Sequence, residues 1–133
     1  MGSRFIRPNV DTLAIADGDT LTVRRRLTAG EQRAMFASMY EAAPGGGLRT
    51  VPFAVGRATM VAYLLDWTLM DEGRRVAIAD LSPADLGAVL DGLSPEAFEE
   101  IRLAIDGHVT AMDAARAAEK KTATAGGPAS STT

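Results

Sequence analysis

At 133 residues and 14.0 kDa the chain has room for one domain, and 47% hydrophobic against 23% charged residues is the composition of a folded one. Fourteen basic against seventeen acidic residues, −3 overall, exclude a protein whose main affinity is for bare phosphate backbone. The lack of cysteine removes disulfides, thiol nucleophiles and thiolate metal sites, and a single histidine removes most acid–base triads. No run of about 18 apolar residues is free of charge, and Met1-Gly2-Ser3-Arg4 holds no apolar signal core. A soluble intracellular domain without catalytic apparatus is expected.

The first predicted element is a β-hairpin. Leu13 and Ile15 alternate with polar or small neighbours, as do Leu21 and Val23. A two-residue Asp17-Gly18 turn would split these four over both faces; a three-residue loop, Ala16-Asp17-Gly18, puts them on one side. The three-residue loop is preferred. Residues 1–9 ahead of it are expected to be flexible, and residues 10–119 to form one compact domain.

Thr28-Ala29-Gly30-Glu31 has the form of a capping box, so a helix should start near Ala29. Met35, Phe36, Met39, Tyr40 and Ala43 then share one helical face, and Pro44 with Gly45 to Gly47 ends it. A second helix is predicted from Pro52 to about Thr68. Phe53, Val55, Met60, Val61, Leu64 and Leu65 wrap most of its circumference, which makes it the central, most buried helix. Trp67-Thr68-Leu69 and Val76-Ala77-Ile78 flank a polar turn and suggest a second short hairpin. Ser82-Pro83 and Ser94-Pro95 each place a capping serine before a helix-starting proline. The first of these helices should stop near Gly92 and the second should run from Pro95 to about Glu119. From Lys120 to Thr133 the composition turns to Ala, Gly, Pro, Ser and Thr, read as a disordered tail. The expected class is α+β, mainly α: an N-terminal hairpin, a bundle of about four helices and a second short hairpin.

Several groups invite a chemical reading, and a plainer one outweighs each. His108 aligns with Ile101, Ile105, Met112 and Ala115 on a helical stripe, which makes it a packing residue before a catalytic one. Glu96, Glu99 and Glu100 suit the first turns of a helix without any cation. Asp17-Gly18-Asp19 lacks the ligand ladder of a calcium loop. Arg24 and Arg26 would point one way along a strand and Arg25 the other, so they form no flat basic patch. Gly45-Gly46-Gly47 lacks the Lys-Ser/Thr of a phosphate loop. No metal or cofactor is expected, and no nucleic-acid or membrane partner.

Charge is polarised along the chain. Residues 1–30 carry +2, residues 31–70 are neutral, and residues 71–119 hold eleven acids against four arginines. The long C-terminal helix, with Phe98, Ile101, Ile105, Val109 and Met112 in its stripe, is the strongest functional lead. Its distal half is expected to project and offer Ile105, Val109 and Met112 to a partner, while Trp67, Phe98 and Ile101 anchor the fold. Met35, Met39, Met60, Met70 and Met112 add adaptable apolar surface of the kind that binds varied helices.

The run Leu64-Leu65-Asp66-Trp67-Thr68-Leu69-Met70-Asp71-Glu72-Gly73, then Leu93-Ser94-Pro95-Glu96-Ala97-Phe98-Glu99-Glu100-Ile101, and the Ala/Glu/Lys-rich stretch from Ala114 to Lys121 resemble tail assembly chaperones of long-tailed bacteriophages of high-GC actinobacterial hosts. Asp17-Gly18-Asp19, the arginine-rich strand and Gly30-Glu31-Gln32-Arg33 fit the same pattern, so the similarity covers about residues 10–121. The resemblance implies a non-enzymatic protein of the host cell cytoplasm that coats the hydrophobic, helical tape-measure protein until the tail tube assembles around it. It implies the tape-measure protein as partner, with the tail tube protein and a second copy of the chain as further ones, and often a longer form made by a frameshift. Trp67, Phe98 and Ile101 match the pattern as structural positions. The alternative role is a small structural subunit of the virion, in the tail or the head–tail connector.

Overall fold

The structure, a computed structural model, describes Arg4, Ile6 and residues 8–125. Strands Val10–Ala14 (β1) and Thr20–Arg24 (β2) pair antiparallel, with Leu13 opposite Leu21 and Ala14 opposite Thr20. The three residues Ala16–Gly18 form the turn, closed by the Ile15 N–H donating to the Asp19 carbonyl at 2.9 Å. That is the register which gathers the apolar side chains on one side, and it buries Leu21 and Val23 completely. Asn9 already extends the ladder, since its carbonyl accepts from the Arg25 N–H at 3.0 Å. Residues 1–3, 5 and 7 of the expected flexible N-terminus lie outside the described residues.

Helix Ala29–Ala37 (α1) starts as the capping box requires: the Glu31 N–H donates to Thr28 Oγ1 and the Thr28 N–H to Glu31 Oε1 at 2.8 Å. It ends earlier than the periodicity predicts. Tyr40–Ala42 (β3) is a strand, paired with Leu48–Thr50 (β4) across a turn in which Gly45, Gly46 and Gly47 all have positive φ. The expected helix over residues 38–43 is therefore corrected. Three glycines that can adopt left-handed backbone let the chain double back and pair, which releases Tyr40 from the helix.

The central helix, Ala54–Tyr63 (α2), packs against α1 and both later helices. It too is shorter than expected. Leu64–Trp67 is not its last turn but a strand (β5), which adds to β2 and completes a sheet in the order β1-β2-β5. The second short hairpin is made by Met70–Asp71 (β6) and Arg74–Arg75 (β7) around Glu72 and Gly73, not by strands at 67–69 and 76–78: β5 takes Trp67, and beyond β6 and β7 the Val76 N–H donates to the Leu69 carbonyl at 3.0 Å. Helix Pro83–Asp91 (α3) is capped by Ser82, whose Oγ accepts from the Asp85 N–H, and Gly92 closes it. Ser94 caps the last helix in the same way through the Ala97 N–H.

That last helix, Pro95–Ala125 (α4), continues past the expected stop at Glu119. Ala-rich sequence with Lys120 keeps helix propensity high there, so the tail boundary moves to the end of the helix. The rest of the expected disordered tail, 126–133, lies outside the described residues. One core unites the elements: Leu21 and Val23 from β2, Met60 and Tyr63 from α2, Leu64 and Trp67 from β5, Ile78, Leu86 and Leu90 around α3, and Ile101 and Ile105 from α4. The fold is α+β, mainly α.

Candidate partner-binding site

α1 is amphipathic only weakly and has no buried residue. It rests on α2 chiefly through Met35, which packs against the core, while Phe36 stays 46% exposed. Beneath it lies a cavity of about 190 Å³, lined by Ala34, Met35 and Ser38 from α1, Ala58, Val61 and Ala62 from α2, and Leu64 and Leu65 from β5. Ile78, Leu81 and Leu86 also line it. The lining mixes apolar with polar side chains, and the site opens to solvent beside α1, a helix with no fully buried side chain.

The polar end of this cavity is built by Arg24. Its Nη1 donates to the Ala62 carbonyl at 2.6 Å, near the C-terminus of α2, where orphan carbonyls favour a cation. Its Nε pairs with Glu31 at 2.9 Å, so one carboxylate both caps α1 and ties it to β2. Arg24, Glu31 and Leu65 also line a second cavity, of about 220 Å³, which reaches Ile6, Pro8 and Asn9. Leu65 is the extra residue of a β-bulge: Thr22 pairs with Asp66 and Val23 with Leu64, leaving it without an opposite partner. A bulge there turns the Leu65 side chain toward both cavities.

A second exposed surface lies at the far end of α1. Tyr40 and Leu48 share one face of the β3–β4 hairpin, 45% and 74% exposed, while Glu41 and Arg49 pair on the opposite face at 2.7 Å. Just beyond, Val51-Pro52-Phe53-Ala54 makes a tight turn, closed by the Ala54 N–H donating to the Val51 carbonyl at 3.1 Å. Phe53 stands third in it with φ 62 and ψ 5, the place that favours glycine, and its side chain is 100% exposed. A bulky residue held there costs about 1–2 kcal/mol against glycine.

The residues singled out in the sequence distribute as follows. Ile105 is fully buried and Ile101 nearly so, Val109 packs half-buried against the core, and Met112 is half-buried. Ile105 is thus part of the core and not a partner surface: α4 folds back on α2 and the sheet, and the stripe that looked free is the packing face. Trp67 is 2% exposed, its Nε1–H donates to the Val76 carbonyl at 2.8 Å, and Phe98 packs half-buried against the same core.

His108 is buried, with Nε2 donating to the Arg24 carbonyl at 2.8 Å and the ring set edge-on to Tyr63. A carbonyl can only accept, so Nε2 carries the proton. The imidazole pins α4 to β2. Burial pushes the Tyr63 phenol up, with Asp113 adding to the shift. The three glutamates diverge: Glu99 pairs with Arg102, Glu100 accepts from the Ala16 N–H at 3.0 Å, and Glu96 is exposed. Arg25 pairs with Asp11 at 3.3 Å, opposite in direction to Arg24. Among the described residues no group of His, Asp or Glu could hold a metal ion, and no helix is long and apolar enough to cross a membrane.

Comparison with protein-family models, curated proteins and solved structures finds no match to this chain. The cavity under α1 and the exposed Phe53 were not foreseen from the sequence. Pro52-Phe53 before a helix was the available signal for Phe53, because a proline at the second turn position leaves the next residue to take the left-handed backbone.

Proposed function

We propose that this chain is a tail assembly chaperone of a long-tailed bacteriophage, a non-enzymatic protein that binds the apolar, helical tape-measure protein in the host cytoplasm. The cavity beneath α1 carries the reading. Its lining mixes Met35 with Val61, Leu64, Leu65 and Leu86, adaptable and aliphatic side chains suited to the apolar face of a helix. The helix beside it has nine residues and no fully buried side chain, so displacing it sacrifices little core. The sequence resemblance to tail assembly chaperones over residues 10–121 supplies the identity of the partner.

Co-expression of the full chain with the tape-measure protein of the same genome, followed by affinity capture, tests it. Capture and solubilisation of the tape-measure protein are expected. Leu65→Asp should weaken capture at least tenfold with little change in melting temperature, since Leu65 is only half-buried. Failure of the unmodified protein to capture or solubilise the tape-measure protein overturns the reading.

A further inference from the structure

We propose that the second cavity, between the β1–β2 ladder and the start of α1, binds a monocarboxylate with a small apolar body: a free acid or the C-terminal residue of a peptide. It shares Arg24, Glu31 and Leu65 with the cavity under α1, yet the proposal stands whether or not that cavity takes a tape-measure helix. The strand register builds the site. Val10 stands opposite Arg24, and the Asn9 carbonyl accepts from the Arg25 N–H at 3.0 Å. Side chains alternate along paired strands, so Pro8, Val10, Arg24 and Arg26 fall on one side and line a volume of about 220 Å³. Arg25 falls on the other side and pairs with Asp11 at 3.3 Å. The bulge at Leu65 adds an aliphatic wall.

Charge selects the ligand class. Glu31 lines the cavity too, but both its oxygens are engaged: Oε1 accepts from the Thr28 N–H at 2.8 Å and Oε2 pairs with Arg24 Nε at 2.9 Å. Arg24 commits Nη1 to the Ala62 carbonyl, and its Nη2 takes part in neither bond. Arg26 makes no ion pair and no side-chain hydrogen bond among the described residues. Thr28 Oγ1 accepts from the Glu31 N–H, which leaves its hydroxyl hydrogen to donate. Two guanidiniums against one carboxylate leave a single positive charge over the lining, together with unused donors. One carboxylate on the ligand matches both. A phosphate dianion does not, because Glu31 repels the second charge and Pro8, Val10 and Leu65 offer it no bond. Val10 is 47% exposed, so an apolar body laid against it removes that surface from water. The volume lies between the roughly 150 Å³ that admits benzene and the roughly 300 Å³ of the smallest drug-sized pockets, which sets the ligand at on the order of ten non-hydrogen atoms.

The test is a heteronuclear NMR titration of the full chain, at pH 7 and constant ionic strength, with N-acetyl-leucine and with hexanoate. Concentrations up to about 20 mM are needed, because ligands of about ten atoms bind in the millimolar range. Saturable shifts at the amides of Asn9, Arg26, Thr28 and Leu65 are expected with the acids and not with N-acetyl-leucinamide, which lacks the carboxylate. Arg26→Gln should weaken binding at least tenfold and leave the melting temperature unchanged, since Arg26 is exposed and holds nothing in place. Tighter binding of N-acetyl-leucine identifies a peptide C-terminus as the source, and tighter binding of hexanoate a free acid. The proposal is overturned if neither acid binds, if the amide or inorganic phosphate shifts the same residues as strongly, or if Arg26→Gln binds as well as the unmodified chain.

Discussion

The Arg57 guanidinium fills the space that a side chain on Gly87 would need: a Cβ built there stands 2.4 Å from Arg57 Nη2. The bare backbone of α3 lets Arg57 lie flat and reach Asp91 with two parallel bonds, Nε to Oδ1 at 2.9 Å and Nη2 to Oδ2 at 3.0 Å. Gly87→Ala should push the arginine off this seat. The lost exposed ion pair, about 0–1 kcal/mol, opposes a gain in helix propensity of similar size. Net stability is expected to stay within about 1 kcal/mol by urea unfolding. The diagnostic result is an Asp91 carboxyl returned to the ordinary range by NMR titration.

Acid should expose the same pair. The hydrogen bonds from Arg57 hold the Asp91 carboxyl below its usual range, and those from Arg102 do the same for Glu99. A depressed carboxylate contributes stability that is present above its unfolded value, about pH 4, and lost as pH falls through the folded value. Stability should therefore decline below about pH 4. Asp91→Asn should decline less between pH 5 and 3, by a small margin because the group is exposed. Equal slopes for the two proteins would contradict the pairing.

Gly56 stands in the same relationship to Arg102. A Cβ there would stand 2.6 Å from the Arg102 Cδ, in the middle of a side chain already tied to Glu99 and Asp106. Arg102 has less freedom to swing away, so Gly56→Ala should separate α2 from α4. A loss of about 1–2 kcal/mol in thermal or urea unfolding is expected.

Trp67 joins β5 to the segment after β7 by packing and by one hydrogen bond, to the Val76 carbonyl. Trp67→Ala should cost about 3–5 kcal/mol, and Trp67→Phe about 1–3 kcal/mol from the lost bond and residual cavity. An unchanged melting temperature for Trp67→Ala would refute its place in the core.

His108→Leu should keep the packing but leave the Arg24 carbonyl without its donor, costing about 1–3 kcal/mol. Tape-measure capture by the folded variant is expected to be unaffected. A loss of capture with the fold intact would give His108 a functional role that its buried position does not suggest.

How much of this was legible in the sequence depended on how local the signal is. The β1–β2 register followed from the alternation of Leu13, Ile15, Leu21 and Val23, and the helix starts from Thr28, Ser82 and Ser94. Helix ends were less legible. Leu64-Leu65 continues the apolar run of α2, and a short apolar run reads equally as helix or buried strand; only the distant pairing with β2 makes it a strand. Tyr40 likewise fits the spacing of Met35, Phe36 and Met39 until β4 captures it. The α4 stripe was read as a partner surface, and periodicity does not say whether the other side of such a stripe is a partner or the chain's own core, as Ile105 shows. Phe53 was read as buried because hydrophobicity alone cannot report a turn that aims a ring outward.

The capping box of α1 has a mechanical consequence. Glu31 fixes the N-terminal end of that helix to Thr28 and Arg24, while the other end runs through buried Met39 into the exposed hairpin. The helix is about 13 Å long, and turning it about the capped end would cost the contacts of Met35 and Met39 at the other. A helix inserted beneath it would turn it about the capped end, and a rotation of about 20° would carry the hairpin sideways by about 5 Å, given the helical rise per residue. Occupation of the cavity and the position of the hairpin would then be coupled through one rigid arm, with equal effect in both directions.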